Sequence, residues 1–209
     1  MDFTAERKAM VDSQVRVNDV TDRAIHLAMM AVPREKFCAP DRAFAAYSEE
    51  SVVIAGERRL MPARDVAKLL QAADAREGEK ALAIAAPYAA ALLARMGVSV
   101  TAQESDDAVF AVVGEALADE GVTTVVAPLA QPTGEEWDLI ISEGGVESLP
   151  ESWGAALRPG GRIVVVERRG AIGKAALYVQ TREGLSRREL FDSSPAVLAE
   201  LTPAPTFAL

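Results

Sequence analysis

Lys80-Ala81-Leu82-Ala83-Ile84-Ala85-Ala86-Pro87-Tyr88-Ala89-Ala90-Ala91-Leu92-Leu93-Ala94-Arg95-Met96-Gly97-Val98-Ser99-Val100-Thr101-Ala102-Gln103-Glu104 reads as strand, helix and strand laid end to end. Ala81 to Ala85 is a short apolar run, and Val98 to Gln103 is a second. Pro87 suits the first turn of a helix, where its missing N–H would be unpaired anyway. Leu92 and Leu93 then give Tyr88 to Met96 a packing face. Two strands joined through a helix lie parallel in one sheet and cross over right-handedly.

The same rhythm continues downstream. Ser105 can cap a helix with Val109, Val112, Val113, Ala116 and Leu117 on one face, ended near Gly121. Strands follow at Val122 to Ala127, Trp137 to Ser142 and Arg162 to Glu167. This alternation predicts an α/β fold with a doubly wound, mostly parallel sheet covered by helices on both faces. Ala175 to Thr181 and Ser186 to Phe191 flank Arg182-Glu183-Gly184-Leu185, which predicts a C-terminal antiparallel hairpin at one sheet edge. The Pro-rich stretch Pro195 to Pro205 is expected to run over the surface.

Upstream, the first third reads as helical. Thr21 or Asp19 can cap a helix that places Ile25, Ala28, Met29 and Val32 at helical spacing and stops at Pro33. Glu50 to Ala55 is extended. Pro62 opens another helix with Val66, Leu69, Leu70 and Ala73 on one face and Gly78 beyond its end. The expected organisation is one domain over 1–209, with an N-terminal helical extension at 1–78 and the core at 79–209.

The bulk numbers exclude several classes. A net charge of −9, with Arg58-Arg59, Arg168-Arg169 and Arg187-Arg188 as separated pairs, argues against a nucleic-acid partner. No apolar run approaches the ~20 residues of a membrane span. One cysteine, Cys38, and a start without a basic-then-apolar signal region point to the cytoplasm. Cys38, beside Phe37 and Pro40, reads as a small buried hydrophobe. His26, the single histidine, sits in a helix beside Met29 and Met30 and reads as packing. No His/Cys cluster suggests a metal.

Met10-Val11-Asp12-Ser13-Gln14-Val15-Arg16, then Asp22, Ala28-Met29, Val32-Pro33-Arg34-Glu35-Lys36-Phe37 and Ala46-Tyr47 follow one another in the order of a known N-terminal signature. Downstream, Trp137-Asp138-Leu139-Ile140-Ile141 and Leu157-Arg158-Pro159-Gly160-Gly161-Arg162 are similar to the fourth- and fifth-strand motifs of class I methyltransferases. Together these segments resemble the protein-L-isoaspartate O-methyltransferase family. The resemblance implies a Rossmann-like, seven-stranded class I methyltransferase fold and methyl transfer from S-adenosylmethionine to an abnormal aspartyl carboxylate in a protein.

An ionised carboxylate is already a competent nucleophile toward a sulfonium carbon, so such an enzyme mainly supplies positioning. The family does so with a glycine-rich loop after the first core strand, an acid ending the second, an Asp-Gly step after the third and a Ser near a Pro. Here the loop is Ala83-Ile84-Ala85-Ala86-Pro87-Tyr88-Ala89, without a glycine. Ala in a positive-φ position costs on the order of 1 kcal/mol, and Pro87 removes an N–H. Leu60 stands where the Ser would be, and Ala127-Pro128-Leu129 replaces the Asp-Gly step. Glu104 keeps the strand-end position where a carboxylate would accept ribose hydroxyls, a position that also suits a solvated acid before a helix. Glu143, in Ser142-Glu143-Gly144-Gly145, lies where ligands of doubly wound sheets sit, although a Gly-Gly turn is also ordinary loop chemistry.

The resemblance therefore implies a protein-L-isoaspartate O-methyltransferase-like chain with impaired or lost cofactor binding, acting as a binding or regulatory module on a protein or peptide partner. The alternative is an active S-adenosylmethionine-dependent carboxyl methyltransferase that holds its cofactor through Ala85, Ala86, Glu104 and Glu143. No catalytic side chain is assigned in either case, and a metal, a nucleic acid and membrane insertion are not expected.

Overall fold

The computed structural model describes residues 1–202. Its centre is a seven-stranded sheet of Lys80–Ile84 (β3), Ser99–Glu104 (β4), Thr123–Val126 (β5), Trp137–Val146 (β6), Leu157–Glu167 (β7), Gly173–Thr181 (β8) and Gly184–Ser193 (β9), in the order β5-β4-β3-β6-β7-β8-β9. The first five of these strands pair in parallel, and β8 and β9 are antiparallel, as the alternating pattern and the turn chemistry predict. The chain reverses between β3 and β6, so the carboxyl ends of β3, β4 and β6 open onto the crevice where such sheets place ligands.

β6 and, beyond Lys80, β3 have no exposed side chains, because helices cover both faces. Pro87–Arg95 (α4) connects β3 to β4, and Asp107–Asp119 (α5) connects β4 to β5. Val109, Val113, Ala116 and Leu117 of α5 are buried as the spacing requires. The cap is Asp106, not Ser105: its carboxylate accepts the Ala108 N–H at 2.8 Å, while the Ser105 hydroxyl donates to Glu200.

The N-terminal part packs against the same core. Phe3–Met10 (α1) runs into a wider turn over Val11–Val15, and Arg23–Ala31 (α2) buries Ile25, Ala28 and Met29. Asp22 caps α2 through the Ala24 N–H at 2.7 Å, displacing Thr21 and Asp19; Asp19 instead takes φ +62° in the turn before it. Val52–Ala55 (β1), within the stretch expected to be extended, pairs with Arg58–Leu60 (β2) in a separate antiparallel hairpin whose second strand the sequence pattern does not announce. Ala63–Ala73 (α3) follows, with Val66, Leu69, Leu70 and Ala73 buried. Each Leu buried there is worth ~1.5–3 kcal/mol relative to exposure.

The expectation that the chain after Pro195 runs over the surface holds for Ala196, Ala199, Glu200 and Thr202, which are exposed, but the segment is tied to the sheet and buries Pro195 and Leu198. Gly145 donates to Ala196 and Leu198 donates back to Gly145, both at 2.8 Å, so 195–198 lies along the end of β6 and Leu198 is buried. Two orphan β6 groups gain backbone partners this way. Residues 203–205 of that stretch lie outside the described residues. Among the described residues no helix is long and apolar enough to cross a membrane.

Candidate functional site

At the end of β3 the chain turns with Ala85 at φ +51°, a left-handed conformation that its Cβ opposes. The turn is held because the Ala85 N–H donates to the Gln103 carbonyl at 2.9 Å, one strand over. Ala86 occupies the cap position of α4 with no side-chain oxygen to offer, and Pro87 has no N–H. The first free donors of the helix are therefore those of Tyr88 and Ala89.

Glu143 meets them. It projects from β6 and accepts the Ala89 N–H through Oε1 at 2.6 Å, capping a helix 54 residues away in sequence. Burial pushes its carboxyl up to about 7, against the opposing pull of the Ala89 N–H and of Arg34. Oε2 has no hydrogen-bond partner among the described residues.

Arg34, from the Val-Pro-Arg-Glu segment, is fully buried; it donates to the Ala46 carbonyl at 2.7 Å and to that of Met61, and its guanidinium lies 4.7 Å from the centre of the Tyr88 ring. Phe37 closes the other side of Tyr88, with ring centroids 5.4 Å apart. Tyr88 is thus part of the packing beneath the crevice, and burial pushes its phenol up to about 12. Glu35 of the same segment pairs with Arg7 at 3.1 Å and accepts from the Tyr47 hydroxyl. The signature residues tie the N-terminal elements down onto α4.

Glu104 ends β4 as the sequence predicts and is 1% exposed. Its Oε2 accepts Arg58 Nε of the β1–β2 hairpin at 3.0 Å, and Arg58 Nη2 reaches Glu200 Oε1, also at 3.0 Å. Glu200 further accepts Ser105 Oγ at 2.7 Å. Burial pushes the Glu104 carboxyl up to about 7, with Arg58 drawing it back down. The neighbouring Gln103, which sequence reading passed over, donates to the Pro128 and Gln131 carbonyls and accepts the Thr133 N–H, fixing the loop after β5.

Between these groups lies a cavity of about 230 Å³ lined by Arg58, Met61, Ala85, Glu143, Gly144 and Leu198. The structure brings Ala85 and Glu143 to this cavity and sets Glu104 behind Arg58. Ala86 serves as the α4 cap residue, and Leu60 is buried in the core at the end of β2. Leu198 stands so close over Gly144 that a Cβ there would meet it at 2.4 Å. Arg58, Gln103 and Leu198 are the site residues missed in the sequence. A basic residue on a short hairpin and an acid at a strand end 46 positions on are both visible, but nothing local couples them.

Comparison with known proteins agrees with this architecture. Residues 5–186 match the family model described as protein-L-isoaspartate(D-aspartate) O-methyltransferase. A protein-L-isoaspartate O-methyltransferase of Methylorubrum extorquens (strain PA1) is 32% identical over 206 residues, 96% of this chain and 90% of that protein. A second, from Rhodopseudomonas palustris (strain HaA2), is 32% identical over 78% of this chain and 69% of its own length. Among solved structures, one of this kind from Plasmodium falciparum, in complex with S-adenosyl-L-homocysteine, superposes with a TM-score of 0.77 at 14% identity, over 96% of this chain and 99% of its own. At that identity the likeness concerns the fold.

Proposed function

The chain belongs to the protein-L-isoaspartate O-methyltransferase family, and from that premise we propose that it is a protein-directed member with an impaired S-adenosylmethionine crevice, acting as a binding or regulatory module. The observation that carries this reading is the engagement of Glu104. Oε2 of the acid placed to accept ribose hydroxyls accepts the Arg58 guanidinium, which leaves only Oε1, unpartnered among the described residues; engaging both oxygens in the ribose would mean giving up a buried charge-assisted bond for a neutral one, which is unfavourable. The other residues present fit the cofactor poorly in the family's manner. No glycine lies between β3 and α4, Leu60 offers no hydroxyl, and the cavity of about 230 Å³ is below the ~300–1,000 Å³ of small-molecule sites. Isothermal titration of the whole chain with S-adenosylmethionine and S-adenosylhomocysteine tests the reading. No saturable heat is expected, and micromolar binding of either ligand overturns it.

The second reading is an active S-adenosylmethionine-dependent carboxyl methyltransferase acting on isoaspartyl residues of damaged proteins. It is favoured by relatives that bear this name at about 30% identity over most of the chain, and by the position of the cavity at the carboxyl ends of the strands. In this reading Ala85, Ala86, Glu104 and Glu143 hold the cofactor. Transfer of labelled methyl to an isoaspartyl peptide, lost in Glu104→Ala, supports it; no transfer at saturating cofactor removes it.

A further inference from the structure

The crevice has two places where a nucleoside bearing a carboxylate would be held, and each is filled from within the chain. At the α4 N-terminus two consecutive positions cannot cap the helix: Ala86 lacks a side-chain acceptor and Pro87 lacks a donor. The free N–H donors and the helix dipole there favour an anion. Glu143 supplies a carboxyl oxygen, with Oε1 2.6 Å from the Ala89 nitrogen and Oε2 unpartnered among the described residues in a side chain that is 2% exposed. A carboxyl group reaching this position from a distant strand does what a bound ligand carboxylate would do.

The second place is Glu104, bridged by Arg58 to Glu200, which lies 142 residues beyond Arg58 in the chain. The clamp draws the hairpin and the terminal strap together across the strand ends. The strap is anchored independently: Arg168 Nη1 donates to the Ser194 and Pro195 carbonyls at 3.0 and 2.6 Å, and Gly145 pairs with Ala196 and Leu198. Leu198 then fills the space over Gly144. Three separate parts of the chain, the β1–β2 hairpin, β6 and the strap at 195–201, converge on one cavity.

We propose that this crevice carries an intrachain plug: Glu143 occupies the carboxylate position at the α4 N-terminus, and Arg58 with Leu198 occupies the nucleoside side, so an external nucleoside carboxylate binds only when they are displaced. The proposal rests on the reading that the crevice is impaired, and it adds what impairs it. A crevice open in a tenth of molecules or fewer weakens apparent affinity by about tenfold or more.

Titration with S-adenosylhomocysteine and, separately, with adenosine, which lacks the carboxylate, reads the two halves of the plug. Glu143→Ala is expected to raise affinity for S-adenosylhomocysteine by about tenfold or more and to leave adenosine nearly unchanged; Arg58→Ala raises both. Leu198→Ala, which alters no buried charge, is expected to raise both and serves if a polar variant loses its cooperative melt. If wild type does not bind and the variants gain, the plug and the impaired crevice both stand. Wild type that binds while the variants bind more tightly leaves the plug and removes the impaired-crevice reading. Variants that melt cooperatively yet gain nothing overturn the plug and leave that reading. Weaker binding in Glu143→Ala or Arg58→Ala makes those residues ligand contacts and overturns both.

Discussion

Replacing Glu143 with Gln keeps an acceptor for the Ala89 N–H and removes a charge that the interior opposes. The ordinary glutamate value is 4.5 and burial raises it to about 7, so between these values the folded chain holds a proton that the unfolded chain has lost. Stability from this group is therefore full below 4.5 and is lost as pH rises through 7. The loss is of the order of 3 kcal/mol. Thermal melts of Glu143→Gln against wild type are expected to show a gain that is small at pH 5 and larger at pH 8; a difference that does not change with pH contradicts the burial argument. Arg34 is a buried charge that holds two backbone carbonyls and the Tyr88 ring, with Nη1 unpartnered among the described residues. Arg34→Ala strands the Ala46 and Met61 carbonyls and removes the contact with Tyr88, at an expected cost of ~3 kcal/mol or more in urea denaturation. Glu104 is legible in the sequence as the end of β4, whereas Glu143, expected just after a strand that stops at Ser142, lies inside a β6 that continues through an irregular stretch to Val146. Their partners are not legible, since Arg58 and Ala89 lie 46 and 54 residues away and only the folded chain joins them.

The strands and helices of the sheet follow from period and turn chemistry, and the errors fall where two neighbours compete for one job. Thr21 and Asp22, or Ser105 and Asp106, can each cap; the carboxylate that reaches the second helical N–H takes the position. The π-type turn over Val11–Val15 and the strand β2 leave no periodic mark because each is only a few residues long, whereas β1 lies within the stretch expected to be extended. The strap misleads for a different reason, since its prolines predict the absence of regular structure but not what it packs on. Gly144 and Leu198 report that contact. Gly144→Ala forces Leu198 to move and is expected to cost ~1–3 kcal/mol, and Leu198→Ala ~2–4 kcal/mol. The double variant should cost less than the sum by ~1 kcal/mol or more, because the shortened side chain makes room for the new methyl group. Strict additivity in a denaturation cycle places the strap elsewhere in solution.

The N-terminal part and the sheet share one apolar cluster that runs from Met10 through Tyr88 and Leu93 to Val164 and Ala175, and Arg162 of β7 holds the Ala73 and Asp74 carbonyls and Glu79 at the junction. Neither half buries its inner face alone. Length and composition make a single domain the natural expectation, but periodicity does not say where α1 and α2 dock; the contact through Arg34, Phe37 and Tyr88 supplies that. We propose one cooperative unit, and the sequence provides its own probes. Both tryptophans, Trp137 and Trp153, lie in the core, and the single cysteine, Cys38, is buried in the N-terminal part. In urea, tryptophan fluorescence and Cys38 thiol labelling under rapid-reclosing conditions should follow one midpoint and one slope. Cys38 becoming reactive at lower urea than the fluorescence change would mean that 1–78 opens first and that the organisation is two units. Arg34→Ala, which cuts the ties to Met61 and Tyr88, should lower both midpoints together if the unit is single, and separate them if it is not.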